Sequence, residues 1–377
     1  MHCADAAPPS RCGNADVRVL LAAGGTGGHI EPALNVGDAL RRLDPTVEVV
    51  VLGGDRGLEG TMVPARGYEL VTVPSVPMPR RPGSDLVRLG PRMRTSVRQA
   101  TEVLRDRDID VVIGFGGYAA VPAYLASRRT RTPLVIHEAN ARPGIANRLG
   151  ARFTRHVYSS FPGAMAGSRP MALPLRHSIA TLDRGAARSE ARAAFGLSAD
   201  APVLLVSGGS QGAMRLNTVV AGALTGLRDA GIEVLHAVGP RNDVPEPAPG
   251  YVPVPFIDRM DLAYAAADLA LTRAGAMTCA ELAAVGLPAI YVPLPIGNGE
   301  QRVNARPVVE AGGGLLIDDS EITAEWLTET AVAVLHDGDR LRGMGAAASA
   351  HGVRDADEQL ARIVVSAAAE RRTGAGT

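Results

Sequence analysis

Apolar residues along this chain come in short runs, and most runs are followed by a stretch of helical spacing. The runs are "VRVLLAA" (17–23), "VEVVVLG" (47–53), "DVVIGFGG" (110–117), "PLVIHEAN" (133–140), "PVLLVSGG" (202–209), "IEVLHAVG" (232–239), "DLALTRAG" (268–275) and "PAIYVPLP" (288–295). Most carry no polar alternation, so both faces of each strand must be covered. Strands of that kind separated by helices predict parallel sheets with helices on both sides. After the first run, Ala33, Leu34, Val36, Ala39, Leu40 and Leu43 recur at helical spacing. A strand therefore passes through a glycine turn into a helix.

One internal comparison organises the chain. "VLLAAGGTGGHI" at 19–30 has a second version in "VLLVSGGSQGAM" at 203–214. Both read strand, Gly-Gly, hydroxyl residue, small residues, helix, and their starts lie about one domain length apart. The prediction is an α/β chain with two Rossmann-like parallel-sheet domains facing each other across a cleft. Residues 1–15 read as a disordered tail, 16–175 as the first domain and 176–351 as the second. A C-terminal helix over 352–377 is a candidate to pack back on the first. The link is expected in the proline-rich "SRPMALPLRHS" (168–178), which lacks periodicity.

Composition narrows the chemistry. The net charge is zero, so nothing global points to nucleic acid. All 39 basic residues are arginine, which removes lysine nucleophiles and Schiff bases. Cys3, Cys12 and Cys279 show no metal-ligand spacing, so a reduced, cytosolic protein without a metal site is expected. "MHCADAAPPSRCGNAD" lacks the apolar core of a signal peptide. No apolar run approaches the ~20 residues that span a bilayer, so membrane contact would be peripheral.

The glycine turns carry the candidate chemistry. Glycine allows positive φ and close approach, and a helix N-terminus offers free N–H groups and a positive dipole end. "GGTGGH" is neither the dinucleotide fingerprint, which argues against a dehydrogenase, nor a P-loop. Ser210 in "GGSQGA" offers a hydroxyl to a phosphate. His29 follows the last glycine of the first turn, where a helix N-terminus keeps imidazole neutral. Two readings stay open for it: a proton acceptor, or a ring that caps the turn. Further signatures are "GFGGYAAVPA" (114–123), "HEANARPGIANR" (137–148), "FIDRMDLAYAAADL" (256–269), "RAGAMTCAELAAVGLPAIYVPLP" (273–295) and "GNGEQRVNA" (297–305).

Taken together and in order, these motifs resemble the MurG family of peptidoglycan glycosyltransferases from residue 24 to about 305. The resemblance implies the GT-B fold, two Rossmann-like domains, the first on the acceptor side and the second binding UDP-N-acetylglucosamine. It implies inverting transfer of N-acetylglucosamine to lipid I, with UDP and lipid II as products and neither metal nor other cofactor. A charged leaving group is then met by N–H groups, hydroxyls and arginine. By the same resemblance, His29 is the general base, and Thr26, Gly27 and Gly28 form the turn facing donor sugar and acceptor diphosphate. Asn140 holds the sugar, Arg176 keeps its place at the domain junction, and Ser210 meets the donor diphosphate. Ile257 reads uracil through its backbone, while Ala276, Met277, Thr278, Cys279 and Ala280 wrap the nucleotide. Glu281 binds the ribose hydroxyls, with a helix-start carboxylate as the alternative reading. Gln301 and Asn304 hold sugar hydroxyls, with Glu300 in an equally placed slot.

The sequence departs from the family pattern where an asparagine at the junction has become Leu173, and Cys279 reads as a small apolar filler. Arg80, Arg81, Arg88, Arg92, Arg94 and Arg98 interleave with Leu86, Val87, Leu89, Met93 and Val97. That stretch suits the anionic cytoplasmic face of a bacterial membrane, or a helix packing its apolar side on the first domain. Another GT-B enzyme, such as a glycolipid glycosyltransferase or a UDP-sugar 2-epimerase, is the rival enzyme. A UDP-sugar sensor is the rival binding protein.

Overall fold

The computed structural model describes residues 17–76, 84–209, 212–295 and 299–373. The first half runs β1 (Arg18–Ala23), α1 (Gly27–Leu43), β2 (Glu48–Gly54), α2 (Glu59–Ala65), β3 (Glu69–Val73), α3 (Ser84–Asp106), β4 (Val111–Gly116), α4 (Ala120–Thr130), β5 (Leu134–Glu138), α5 (Ile145–Gly150), β6 (His156–Ser159) and β7 (Arg169–Pro170). The second runs α6 (His177–Ala180), α7 (Arg184–Phe195), β8 (Val203–Ser207), α8 (Met214–Asp229), β9 (Glu233–Ala237), β10 (Tyr251–Val254), α9 (Met260–Ala266) and β11 (Leu269–Thr272). It continues through α10 (Ala276–Val285), β12 (Ala289–Tyr291), α11 (Glu300–Glu310), β13 (Gly314–Leu316), α12 (Ala324–Leu335), α13 (Gly338–Ser349) and α14 (Ala356–Thr373).

Two sheets result, with strand orders β3-β2-β1-β4-β5-β6-β7 and β10-β9-β8-β11-β12-β13. Every strand pairing within them is parallel. The α/β prediction of two Rossmann-like sheets holds. In each sheet the order reverses direction at one central strand, β1 or β8, and ligands of doubly wound folds bind at that switch point. The internal repeat therefore marks the centre of each sheet, and its two glycine turns leave the carboxyl ends of those strands.

Eight apolar runs became strands. Of the five strands without such a signal, β3, β7, β10 and β13 are the four sheet edges. Edge strands are half-solvated and short, so they lack the continuous apolar run of a buried strand.

Each sheet is covered on both faces. In the first, Leu21, Ile30, Leu34 and Val51 pack on one side and Leu20, Leu52, Leu104 and Tyr124 on the other. Helix α14 lies on that first sheet, with Leu360, Ala361, Val364, Ala367 and Ala368 buried against α1, β4 and β5. Its helical spacing puts these residues on one face. Polar contacts tie the same helix down: Arg42 donates to Asp357 at 2.5 Å and Arg372 to Asp110 at 2.9 Å. Between the sheets, the segment 171–176 is held to α1, where Asn35 Nδ2 donates to the Pro174 carbonyl at 3.0 Å.

Candidate active site

The first glycine turn is built by residues far away in sequence. Gly25 adopts φ +90°, and its N–H donates to Glu59 Oε1 at 2.7 Å. The turn from the end of β4 lies directly on it: a Cβ on Gly117, at φ +85°, would sit 2.1 Å from the Gly24 carbonyl oxygen. Only glycine meets both demands at position 117. The turn is shorter than the sequence suggested, because Gly27 and Gly28 already belong to the first turn of α1. Thr26 is the N-cap residue, yet its hydroxyl does not cap the helix; it meets His29 Nδ1 at 3.1 Å.

His29 is thus the third residue of α1, half-buried, with its Cδ2–Nε2 edge against Gly116 and near Asn147. Burial pushes the pKa of the ring below the ordinary histidine value. Glu138, the Gly24 carbonyl, Glu300 and Glu59 pull the other way and do not win. A neutral ring at neutral pH can accept a proton. Glu300 comes from α11 of the second sheet, so the charge field at His29 spans the cleft.

Beside it, Glu138 at the end of β5 is buried and organises the next loop. It accepts from the Asn140 backbone N–H (2.9 Å), from Asn140 Nδ2 (3.3 Å), from the Gly144 N–H (3.0 Å) and from Asn147 Nδ2 (2.9 Å). Asn140 is half-buried there, its amide turned to Glu138. Glu59, Glu138 and Asn147 were not singled out from the sequence. "GGDRGLEG" (53–60), a further glycine cluster just past β2, is the signal for Glu59, and the glutamate of "HEANARPGIANR" is the one for Glu138.

Across the cleft, a cavity opens at the carboxyl ends of β8, β9 and β11. It collects Arg176, Gly209, Ile257, Tyr264, Thr278 and Glu281. Gly209, at φ +86°, lies at the turn after β8. Ser210 lies outside the described residues. Ala276 to Ala280 begin α10, whose N-cap is Gly275, and of them Thr278 lines the cavity; the first N–H groups of a helix have no partner within it. Cys279 is buried among apolar side chains and its thiol pKa is raised by burial, as a filler requires.

Glu281 is half-buried on α10. Its Oε2 accepts from the Tyr264 hydroxyl at 2.7 Å. Burial pushes its pKa up to about 7, against the Tyr264 hydrogen bond and Arg176, which lower it. It is neither the first residue of α10 nor its cap. Arg176 forms an ion pair with Glu31, on the same helix as His29, and that carboxylate also takes Arg66 Nη1 at 3.0 Å. The arginine at the junction therefore lies between α1 and the cavity.

The sugar-side residues divide. Glu300 begins α11 after Gly299, which adopts φ +74°. Gln301 Oε1 accepts from the Leu294 N–H at 2.9 Å. Asn304 is buried; its Nδ2 donates to the Ala274 carbonyl at 3.2 Å and braces the loop before α10, while its Oδ1 has no partner among the described residues. Among the described residues no cluster of three or more metal-ligating side chains occurs.

In α3, Val97, Ala100 and Leu104 are buried, so the C-terminal half of that helix does pack its apolar side inward. Arg92, Arg94 and Arg98 remain exposed; Arg98 lies 3.6 Å from Glu102. Arg80 and Arg81 lie outside the described residues, as do the side chains of Leu86, Val87, Arg88 and Leu89. No helix among the described residues is long and apolar enough to cross a membrane.

Residues 19–159 match the glycosyltransferase family 28 N-terminal domain and 203–360 its C-terminal domain. The chain is 57% identical over 361 residues to a protein of Streptomyces avermitilis, covering 94% of this chain and 99% of that one. A relative from Mycolicibacterium smegmatis is 54% identical over 367 residues, covering 94% and 95%. Both are named UDP-N-acetylglucosamine–N-acetylmuramyl-(pentapeptide) pyrophosphoryl-undecaprenol N-acetylglucosamine transferase. The crystal structure of Acinetobacter baumannii MurG superposes with a TM-score of 0.75 at 28% identity, over 93% of this chain and 99% of that one. A UDP-GlcNAc 2-epimerase from Neisseria meningitidis reaches 0.65 at 13% identity, over 93% and 100%, which is a likeness of fold alone.

Proposed function

Since this chain belongs to the MurG family within glycosyltransferase family 28, we propose that its cleft moves N-acetylglucosamine from UDP-N-acetylglucosamine to the 4-hydroxyl of the N-acetylmuramoyl residue of lipid I. The chain is an N-acetylglucosaminyltransferase of bacterial peptidoglycan synthesis, and its products are lipid II and UDP. The observation that carries the mechanistic reading is a juxtaposition. A neutral histidine stands at the switch point of one sheet, and a cavity with an arginine and a helix N-terminus stands at the switch point of the other.

In the reaction, His29 Nε2 takes the proton of the acceptor 4-hydroxyl while Nδ1–H donates to Thr26. That tautomer leaves the lone pair on the nitrogen away from the threonine. The freed oxygen attacks the anomeric carbon opposite the diphosphate, and the bond from that carbon to the diphosphate oxygen breaks. Charge accumulating on UDP is met by Arg176, by the N–H groups at the start of α10 and by the backbone at Gly208 and Gly209 after β8, with Ser210 as a further donor. The backbone at Ile257 holds uracil, and Glu281 accepts from the ribose hydroxyls. Asn140, Glu300 and Gln301 serve the sugar. Thr26 and the N–H groups of Gly27 and Gly28 serve the acceptor diphosphate. Glu59, Glu138 and Asn147 position these groups without touching substrate. No resident cofactor enters this scheme.

The assay that tests the function uses purified protein, UDP-N-acetylglucosamine and a short-chain lipid I analogue. Stoichiometric UDP and disaccharide product are expected. An epimerase would give a second UDP-sugar without acceptor, and a sensor would give neither product.

The acceptor is lipid-anchored, so the enzyme works peripherally at the cytoplasmic face of the membrane. The exposed Arg92 and Arg94 of α3 support this, each arginine being worth ~1 kcal/mol near an anionic surface. Vesicles with anionic lipid should bind the protein in a salt-sensitive way and neutral vesicles should not. Reversing Arg92 and Arg94 to glutamate should weaken that binding and spare transfer to a soluble acceptor analogue. Equal binding to both kinds of vesicle would rule out an electrostatic contact.

A further inference from the structure

Among the described residues Glu281 is the one carboxylate lining the donor cavity, and its surroundings oppose its charge. It sits on α10, half-buried, with the ring of Tyr264 from α9 beneath it. The titratable and charged groups that act on it are Tyr264, Arg176 at the start of α6, and Glu31 from α1. Helices α11 and α13 also pack on α10 and, among the described residues, add none. Arg176 is engaged by Glu31, and among the described residues the one hydrogen bond that reaches the Glu281 carboxylate comes from Tyr264, at 2.7 Å to Oε2. Oε1 has no protein partner among the described residues.

Tyr264 is itself rigidly set. The residue is 2% exposed. Its backbone carbonyl accepts from Arg184 Nε at 2.9 Å, and the Ala266 carbonyl accepts from Arg192 Nε at 3.2 Å. Two arginines of α7 thus satisfy the last carbonyls of α9, where cations and donors are favoured. The hydroxyl of this held ring donates to Glu281 Oε2.

We propose that Tyr264 is a positioning residue for donor recognition: its hydroxyl holds Glu281 as an oriented anion, occupying Oε2 and leaving Oε1 for the ribose hydroxyls. This rests on the reading of Glu281 as the ribose ligand. A carboxylate that accepts one hydrogen bond from the protein is stabilised in its charged form, and a protonated one loses acceptor capacity. Burial brings Glu281 to a pKa of about 7 even with this bond in place. Donor affinity is therefore coupled to pH near neutrality, with Tyr264 setting where the coupling falls.

The sign is definite. Removing the hydroxyl raises the pKa of Glu281 above its present value, so the anion is lost at higher pH. If the rise is about one unit, the ionised fraction near pH 7 drops from about a half to about a tenth, roughly a fivefold loss of affinity. At about pH 9 both proteins are mostly ionised and the loss nearly vanishes. The experiment is UDP calorimetry on the full chain at both pH values, for wild type, Tyr264→Phe, Glu281→Gln and the double variant. The ratio of variant to wild-type Kd cancels the titration of UDP itself. Tyr264→Phe should bind UDP several-fold more weakly near neutral pH and almost normally at the alkaline value. In the Glu281→Gln background, Tyr264→Phe should add no further loss. A Tyr264→Phe deficit of the same size at both pH values, or no deficit, would overturn the proposal while sparing the ribose reading. Unchanged UDP affinity in Glu281→Gln would overturn the ribose reading and this inference with it. Should Tyr264→Phe fold poorly, Tyr264→Met, which fills the site without a donor, takes its place in the same cycle. In either case the wild-type Kd must worsen as pH falls through neutrality more steeply than that of Glu281→Gln.

Discussion

Alanine at position 29 should lower kcat by at least the ~10²-fold that a general base contributes, with the Kd for UDP nearly unchanged. His29 lies on the first-sheet side of the cleft, whereas the cavity assigned to UDP is lined from the second. Removing the ring therefore takes away proton transfer and leaves the nucleotide contacts. The ring is expected to work in its neutral form. Its pKa in the folded protein is lowered because burial outweighs the surrounding carboxylates. A lowered histidine pKa keeps the base unprotonated through neutral pH, and activity is lost only as pH falls below the ordinary histidine value. At saturating donor, the acid limb of kcat/KM for the acceptor should thus lie below pH ~6.5. Near-normal turnover of His29→Ala would remove this residue from the mechanism, and an acid limb well above that pH would show that the ring is charged in the donor-bound enzyme.

The second large effect is expected at the other glycine turn. Gly209→Val should abolish UDP binding while the protein stays folded. Among the described residues a Cβ at Gly209 meets nothing within 4 Å, so the added side chain clashes with no core group. The position lines the donor cavity and holds φ +86°, where a β-branched residue is strained by roughly 1–3 kcal/mol. The cost falls where the diphosphate must approach the backbone. Gly208 differs, since a Cβ there would lie 2.3 Å from the Ala213 nitrogen and would disrupt the turn itself. Calorimetry on Gly209→Val, with its Tm measured beside it, separates the two effects. Unchanged UDP binding would mean that this turn is only structural, whereas a collapsed Tm would place the damage in the fold.

What the sequence by itself determined is the local grammar. Continuous apolar runs ending in glycine mark buried central strands, because a strand covered on both faces has no polar alternation and its ligand-facing end needs a bare backbone. The two equivalent turns, the catalytic candidate at the first, and the α/β class were legible for that reason. Signatures spread from residue 24 to about 305 then pointed to the family, which near full-length relatives bear out.

Tertiary structure decided what depends on partners distant in sequence. Edge strands emerged only from pairing, since half-solvated segments carry a weak hydrophobic signal. Glu59 completes a turn 34 residues away, and the Glu31–Arg176 pair joins groups 145 residues apart. No local pattern encodes such contacts, because the chain is indifferent to them until the sheets form. The bond from Asn304 to the Ala274 carbonyl, the helical start at Ala276 and the hydroxyl of Tyr264 on Glu281 are of the same kind. A motif states which side chain is present. Burial and the positions of neighbouring donors decide which way it faces and whether it is charged.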